Sequence, residues 1–480
     1  MIRLRQWSAL LLPAMLAPGL RAQDKPTSPW AIDRSLIVSP QSAPVPALLY
    51  RLLPLNSDLK EGNAVPIYLR LVHEQNDAAR KYWTETPKPW NGMPVDRIPL
   101  DLAHKFLQDH RRFLRQFDLG ARRRTAEWNY TLDEGNLIQI LLPDTQQMRN
   151  YAPMLILQAR VAIADGDFTR AAHHLETCFA ISRHVGEGPF LINSLVAVAL
   201  ASQFAGTVAD LVERPGAPNL YWALTALPRP FIDLGRARDL EFRFIETVFP
   251  FLGDLDRERT AEQWDGGLRR MRQEIRDLSM DGTPPKLPEW FPKDCAPDDP
   301  AAKSPDLAAA HKFVARAKGL PADKVEAMPP AQVLLLYMMG TCREDWDDWY
   351  RAANLPYPQA RPLFEAAHNR LRDAPATEGH VVSRSLFSDL NKAMSREIAL
   401  ERSLAALRVI EALRIHAAAH DGKLPDKLTE VTEVPIPNDP GTDRPFEYSR
   451  EGDTATLVSV VPGDPLHSNG LRYRVTIRNR

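Results

Sequence analysis

Cysteine is almost missing from this chain. Three occur in 480 residues, Cys178, Cys295 and Cys342, too few for a disulfide-built scaffold. At most one bridge can form. Cys295, in a proline-rich loop, and Cys342, at a helix start, make the better-placed pair, because Cys178 sits among apolar helical residues. Three unpaired thiols are the alternative. Net charge is missing as well: 60 Lys and Arg face 61 Asp and Glu. Such a chain has no whole-molecule field to draw in nucleic acid or acidic lipid, which argues against a dedicated polyanion binder but not against a local patch. Glycine is sparse at 23 residues. No GxSxG elbow, P-loop, HExxH or Rossmann glycine fingerprint is present, so no motif calls for an enzyme.

Long hydrophobic runs are lacking too. The most apolar internal stretch, Leu191–Val212, is broken by Asn193, Ser202 and Gln203 and is rich in alanine. It reads as a buried helix of a packed core. At the amino terminus, "MIRLRQW" is a short basic region and "SALLLPAMLAPGL" a short apolar one. Spanning a bilayer takes ~20 apolar residues, and this run is shorter and interrupted by Pro13 and Pro18. With a small residue before Gln23, residues 1–22 read as a cleavable signal peptide. The expected address is periplasmic or extracellular, and after cleavage the protein is not an integral membrane protein.

Helix formers and proline are what the chain does have. Apolar residues recur at helical spacing, and 42 prolines fall mostly between the segments, where they stop helices. "LAHKFLQDHRRFLRQF" (Leu102–Phe117) predicts an amphipathic helix with a basic outer face. Arg111, Arg112, Arg115, Arg122, Arg123 and Arg124 gather there, either as a phosphate contact or as a solvated face. Tyr151–His184 predicts two helices joined at "GDF". It resembles one tetratricopeptide-type repeat at Gly166, Asp167, Phe168, Ala171, Leu175 and Cys178, and the resemblance implies closely packed helix hairpins. Thr283–Pro305 holds seven prolines and can be neither helix nor central strand.

The carboxyl-terminal part changes character. A long helix is expected from about Phe387 to His420, then turn-forming "DGKLPDKL" and "PNDPGTDRP". "FEYS", "TATLVSV" and "RYRVTI" predict three short antiparallel strands. In the turn, Pro440 and Pro445 restrict φ, Gly441 is free to take positive φ, and Asn438 and Asp439 hydrogen-bond nearby backbone. Phe446 and Tyr448 are expected on one face of the sheet, toward the long helix.

Through Gly422, Pro425, Asp439, Pro440, Pro445 and Tyr448, this region resembles the carboxyl-terminal segment of type II secretion pseudopilins. "RHVGEGPFLINSLVAVALA" and "PGAPNLYWALTALPRP" are similar to a set of uncharacterised exported bacterial proteins. The pseudopilin resemblance implies a small sheet on a long helix, and calcium in the loop after the turn. Here Val461–Gly470 offers Asp464 and Asn469, against the about six to eight oxygens that calcium takes. No other cofactor is expected.

The fold class expected is mainly α: a repeat-like helix-hairpin array with a small carboxyl-terminal antiparallel β-module packed on a long helix. Its divisions are 1–22, signal; 23–282, helical with the repeat-like hairpin; 283–305, linker or loop; 306–386, helical; 387–480, long helix plus β-module. Three constellations are candidates for chemistry. His416 and His420 stand at i, i+4 on one helix face and can begin a metal site, although the sequence reveals no third ligand. His174 and Cys178 share that spacing, which suits a metal site or a thiolate–imidazolium couple, although Cys178 is more simply a small packing residue of the hairpin. Asp345 and Asp348 lie beside Trp346 and Trp349, as paired carboxylates do in glycosidases, although an acidic helix face explains the same letters. The leading expectation is a binding or scaffold protein of the cell envelope with a protein or peptide partner and no nucleic acid. The alternatives are an envelope hydrolase of glycan or peptide, and a protein associated with a secretion apparatus.

Overall fold

The computed structural model describes residues 30–73, 85–130, 137–240, 250–255, 257–277, 307–374, 379–460 and 470–478. The signal segment 1–22 and the proline-rich stretch 283–305 lie outside the described residues. The fold is mainly helical with a small mixed four-stranded sheet. The longer helices are α1 (Val65–His73), α2 (Leu100–Asp109), α3 (Arg111–Ala121), α4 (Leu137–Ala164), α5 (Phe168–Gly186), α6 (Leu191–Val212), α7 (Ala261–Asp277), α8 (Leu307–Lys318), α9 (Pro330–Ala353), α10 (Tyr357–Asp373) and α11 (Val381–Ala419). The chain separates into two compact units. The larger combines Pro26–Leu240 with Met394–Arg480, and the smaller is built on Glu241–Ala393.

In the larger unit the expected turn between two helices is present, although the first helix starts at Leu137, well before Tyr151. Gly166 takes φ +74°, a conformation glycine adopts at little cost, and so ends α4. Asp167 then caps α5, its carboxylate accepting the Arg170 N–H at 3.0 Å, which satisfies an orphan donor of the first turn. α5 buries Ala171, Leu175, Cys178, Phe179 and Val185. Against it lies α6, whose Ala197, Leu200, Ala201, Phe204, Ala205 and Val208 are buried. Among the described residues α6 is the one helix long and apolar enough to cross a membrane, and 67% of its most apolar window is buried inside the fold. Small residues at these positions let neighbouring helices approach closely, as a core helix requires.

The three expected strands are present: β4 (Glu447–Glu451), β5 (Thr454–Ser459) and β6 (Leu471–Ile477), paired antiparallel. The sheet is larger than expected. β1 (Ile32–Val38) joins β6 in parallel, Ile32 opposite Leu471 through Val38 opposite Ile477, giving the order β1-β6-β5-β4. With nearly the whole chain between the partners, no hairpin turn announces this pairing. One face buries Leu36, Val38, Ala455, Leu457, Tyr473 and Val475. On the other, Asp33 pairs with Arg472 at 2.6 Å and Arg474 at 3.1 Å. Arg34 reaches α6, donating to Asp210 at 2.6 Å and Glu213 at 2.7 Å. Two further strands, β2 (Lys60–Asn63) and β3 (Arg123–Thr125), pair in parallel elsewhere in this unit.

The turn before β4 differs from expectation in two ways. Gly441 does not take positive φ; Asp443 does, at +54°. Gly441 is required for a different reason, close approach: a Cβ there would lie 2.9 Å from Arg402 Cδ and 3.0 Å from its Nε. Nor does Asp439 serve the turn alone. Its carboxylate accepts the Gly441 N–H at 2.8 Å, Arg402 Nε at 3.1 Å from α11, and the Ser459 hydroxyl at 2.5 Å from β5. Arg402 also donates to Ser459 Oγ. Arg402, Asp439 and Ser459 are all buried. Asn438 does hold the turn, donating to the Asp443 carbonyl at 3.2 Å. Phe446 is buried and Tyr448 half-buried, its hydroxyl donating to the Pro425 carbonyl at 2.7 Å.

In the smaller unit α9 supplies much of a core containing Val333, Leu334, Met338 and Cys342, with Trp264 and Leu268 of α7 and Val314 of α8.

Removing one partner of a buried ion pair strands the other, at about 3–5 kcal/mol. Asp439→Ala is therefore expected to lower the stability of the larger unit by that amount, and Phe446→Ala by about 3–5 kcal/mol for the lost ring. Urea unfolding followed by circular dichroism reads both. Unchanged midpoints would mean that the β-module is not packed on α11.

Candidate functional site

In the larger unit a cleft of about 350 Å³ lies between α2, α3, α4 and α5. Its origin is the amphipathic pattern of α3. Phe113, Leu114 and Phe117 turn inward and are buried, and this leaves Arg111, Arg112 and Arg115 exposed. Arg111 and Arg115 line the cleft together with His104 of α2 and Arg170, His173 and His174 of α5. Asp118 is the carboxylate in its lining, and it is already occupied. It accepts from Arg122 at 2.6 Å and Thr177 at 2.8 Å, and lies 2.9 Å from His173 Nε2. Burial works against its charge, yet the bonds from His173 and Thr177 and the Arg122 charge hold its pKa below the usual carboxylate range. Burial first, then the charges of His173 and Arg170, push His174 down to about 4, so it is neutral near pH 7. Arg111 and Arg115 have no acidic partner among the described residues.

The basic cluster thus divides. Arg122 is tied to Asp118, Thr177 and Glu176, Arg123 to the Glu61 carbonyl and Arg124 to the Glu61 carboxylate. These three are engaged in contacts within the chain, and only Arg111 and Arg115 of the cluster line the cleft. The couple proposed for His174 and Cys178 does not form. Cys178 is fully buried, and burial drives its thiol pKa far up, the reverse of what a thiolate needs.

A second cavity, of about 270 Å³, lies beside the carboxyl-terminal segment, where Pro435, Ile436 and Pro437 face Arg229, Glu401 and Arg408. Glu401 accepts the Phe231 N–H at 2.7 Å. Arg408 donates to Thr225 Oγ1 at 3.1 Å. One turn before Glu401 stands Glu397, raised to about 8, chiefly by burial and further by Glu401 and Asp233, with Arg238 opposing.

His416 and His420 do lie together at the end of α11, with rings stacked 4.0 Å apart. The structure adds the third group that the sequence did not reveal. Glu433 Oε1 is 3.2 Å from His416 Nδ1 and 2.9 Å from His420 Nε2. In the smaller unit, Asp345 is buried and bonded to His380 at 2.6 Å and Arg370 at 3.2 Å. Asp348 is half exposed and pairs with the same guanidinium at 3.0 Å. Neither aspartate lines either cavity. Cys342 is a buried free thiol, pushed up to about 12 by burial; Cys295, Asp464 and Asn469 lie outside the described residues.

Compared with protein-family models, curated proteins and solved structures, the chain matches none. The sites therefore rest on their own geometry.

Glu397 gives a pH signature. Its folded pKa of about 8 exceeds the ordinary 4.5, so between those values the folded chain keeps a proton that the unfolded chain loses. Stability from this group is full below 4.5 and is lost as pH rises through about 8. Glu397→Gln is expected to raise the melting temperature relative to wild type at pH 8 but not at pH 4.5. A difference independent of pH would refute the assignment.

Proposed function

We propose that this chain is an exported binding protein of the cell envelope that holds an acidic segment of a protein partner in the cleft between α2, α3, α4 and α5. One observation carries the reading: Arg111 and Arg115 line a cleft whose carboxylate, Asp118, is already bonded to Arg122, His173 and Thr177. Guanidinium groups bind carboxylates through short charge-assisted bonds, and a partner's Asp or Glu supplies the missing acceptors. The cleft lining has no Phe, Tyr or Trp on which a base could stack, which favours a protein ligand over single-stranded nucleic acid. The pairing of α2–α3 with α4–α5 supports the repeat-like, helix-hairpin reading, since stacked hairpins present concave surfaces to peptides.

Export rests on the basic-then-apolar amino-terminal segment, and amino-terminal sequencing of the purified protein is expected to start near Gln23. The pseudopilin-like character of the end of the chain is supported by its strands and by the Asp439 turn. Asp345 and Asp348, both tied to the one guanidinium of Arg370, give an envelope hydrolase less support.

The test is fluorescence anisotropy with a fluorescein-labelled hexaglutamate peptide. Charged hydrogen bonds contribute about 1.5–3 kcal/mol, so Arg111→Ala with Arg115→Ala is expected to weaken binding at least about tenfold. Binding should also fall steeply with salt. Equal affinity of the double variant, or equal affinity for hexalysine, would refute the proposal; tighter binding to an oligonucleotide than to the acidic peptide would replace the partner class.

A further inference from the structure

We infer that His416, His420 and Glu433 form a binding site for one divalent transition-metal cation, zinc by their chemistry. The proposal is independent of the cleft and of its ligand. It starts from helical spacing: i and i+4 put both imidazoles on one face of the last turns of α11. Gly422, at φ +83°, then turns the chain, its N–H donating to the Ala417 carbonyl at 2.7 Å. The following segment makes a short turn at Leu428–Glu430 and returns with Glu433 beside the two rings.

The distances suit a shared cation. One ligand atom from each residue lies within 4.8 Å of the other two. Zinc binds nitrogen and carboxylate oxygen at about 2.0–2.2 Å in a tetrahedron, which sets ligand atoms about 3.3 Å from one another. The two nitrogen–oxygen separations, 3.2 Å and 2.9 Å, are already near that edge. Two histidines and one carboxylate leave the fourth corner to water. Burial differs among the ligands in a useful way. The His416 side chain is 8% exposed and that of His420 50%, so one ligand is fixed by packing and the other borders solvent, where an ion can enter. Two imidazoles against one carboxylate select for zinc and its neighbours over calcium and magnesium, which take oxygen ligands.

A direct histidine–glutamate ion pair is the competing account. It accounts for both rings, since His416 Nδ1 lies 3.3 Å from Glu433 Oε2 and His420 Nε2 2.9 Å from Oε1, so the two accounts part only on whether a cation is held there. A cation uses both rings neutral. Its effect would be to pin the end of α11 to the segment that runs on into Pro435–Pro437 and Asp439.

The experiment uses the full chain treated with EDTA and then dialysed. Calorimetric titration with zinc chloride is expected to give one strong site and to raise the melting temperature. Changing a second-shell partner weakens metal binding about 10–100-fold, and loss of a direct ligand costs at least as much. His420→Ala and Glu433→Gln are each expected to weaken zinc binding at least about tenfold and to abolish the thermal shift. Calcium chloride at the same concentration should do neither. Cobalt(II) provides a second readout through visible absorption, expected for the wild type and lost in both variants, whose folding is checked by circular dichroism. The inference is overturned if zinc does not bind, or if it binds equally to the variants. It is also overturned, in favour of the ion pair alone, if both variants melt lower than wild type in EDTA while zinc leaves the wild type unchanged.

Discussion

The buried contact among Arg402, Asp439 and Ser459 is the constraint on which the carboxyl-terminal half of the larger unit depends. A guanidinium and a carboxylate removed from water are costly unless their remaining hydrogen bonds are made. Here they come from three elements: α11 gives the cation, the turn gives the anion, and β5 gives a hydroxyl that bonds to both. Such a contact fixes position as well as energy. If β5 shifted by one residue, Ser459 would point to the opposite face and the pair would lose its third partner. Gly441 belongs to the same constraint, because any side chain there would meet Arg402.

Other buried charges in this unit follow the same rule. Glu411 and Arg414 pair at 3.0 Å with both side chains fully buried, and Arg414 also donates to the carbonyls of Ser39, Ala217 and Pro218. Arg160, nearly buried, pairs with Asp210 at 2.8 Å and donates to three carbonyls between Trp90 and Met93. Each arginine gathers backbone from segments far apart in the chain. A planar guanidinium has five N–H donors, so a single residue can fasten several loops that have no regular structure. This is one way in which a chain with few cysteines holds long, proline-broken connections together.

The mainly helical fold, the α4–α5 hairpin, the long α11 and three strands were legible because each is written locally, in apolar spacing, in Gly166 and in alternation along β4 to β6. β1 was not, because a parallel partner from the opposite end of the chain leaves no turn between them. The turn at Asp439 was half legible. Its residue types signalled a turn, but the role of Gly441 depends on Arg402, which only the fold brings near. The same limit applies to the sites. His416 and His420 are visible as a helical pair, whereas Glu433 stands in a connecting segment at no characteristic spacing. The basic cluster was visible as letters, yet nothing local distinguishes Arg122, which is tied down, from Arg115, which is not.

That last distinction gives the cleft its meaning. In this unit Arg34, Arg122, Arg160, Arg402 and Arg414 each find a carboxylate, even across long stretches of chain. An exposed arginine without a partner is ordinary on a solvated face, because water and salt satisfy it at little cost. Arg111 and Arg115 differ in facing a concavity together, beside Arg170 and a neutral His174. Their charges add there. A cleft concentrates such a field more than a convex surface does, and Asp118 is engaged elsewhere. Arg170 is itself paired with Asp165 and Asp167, so it is Arg111 and Arg115 that the proposed acidic partner would meet, without displacing any of these bonds.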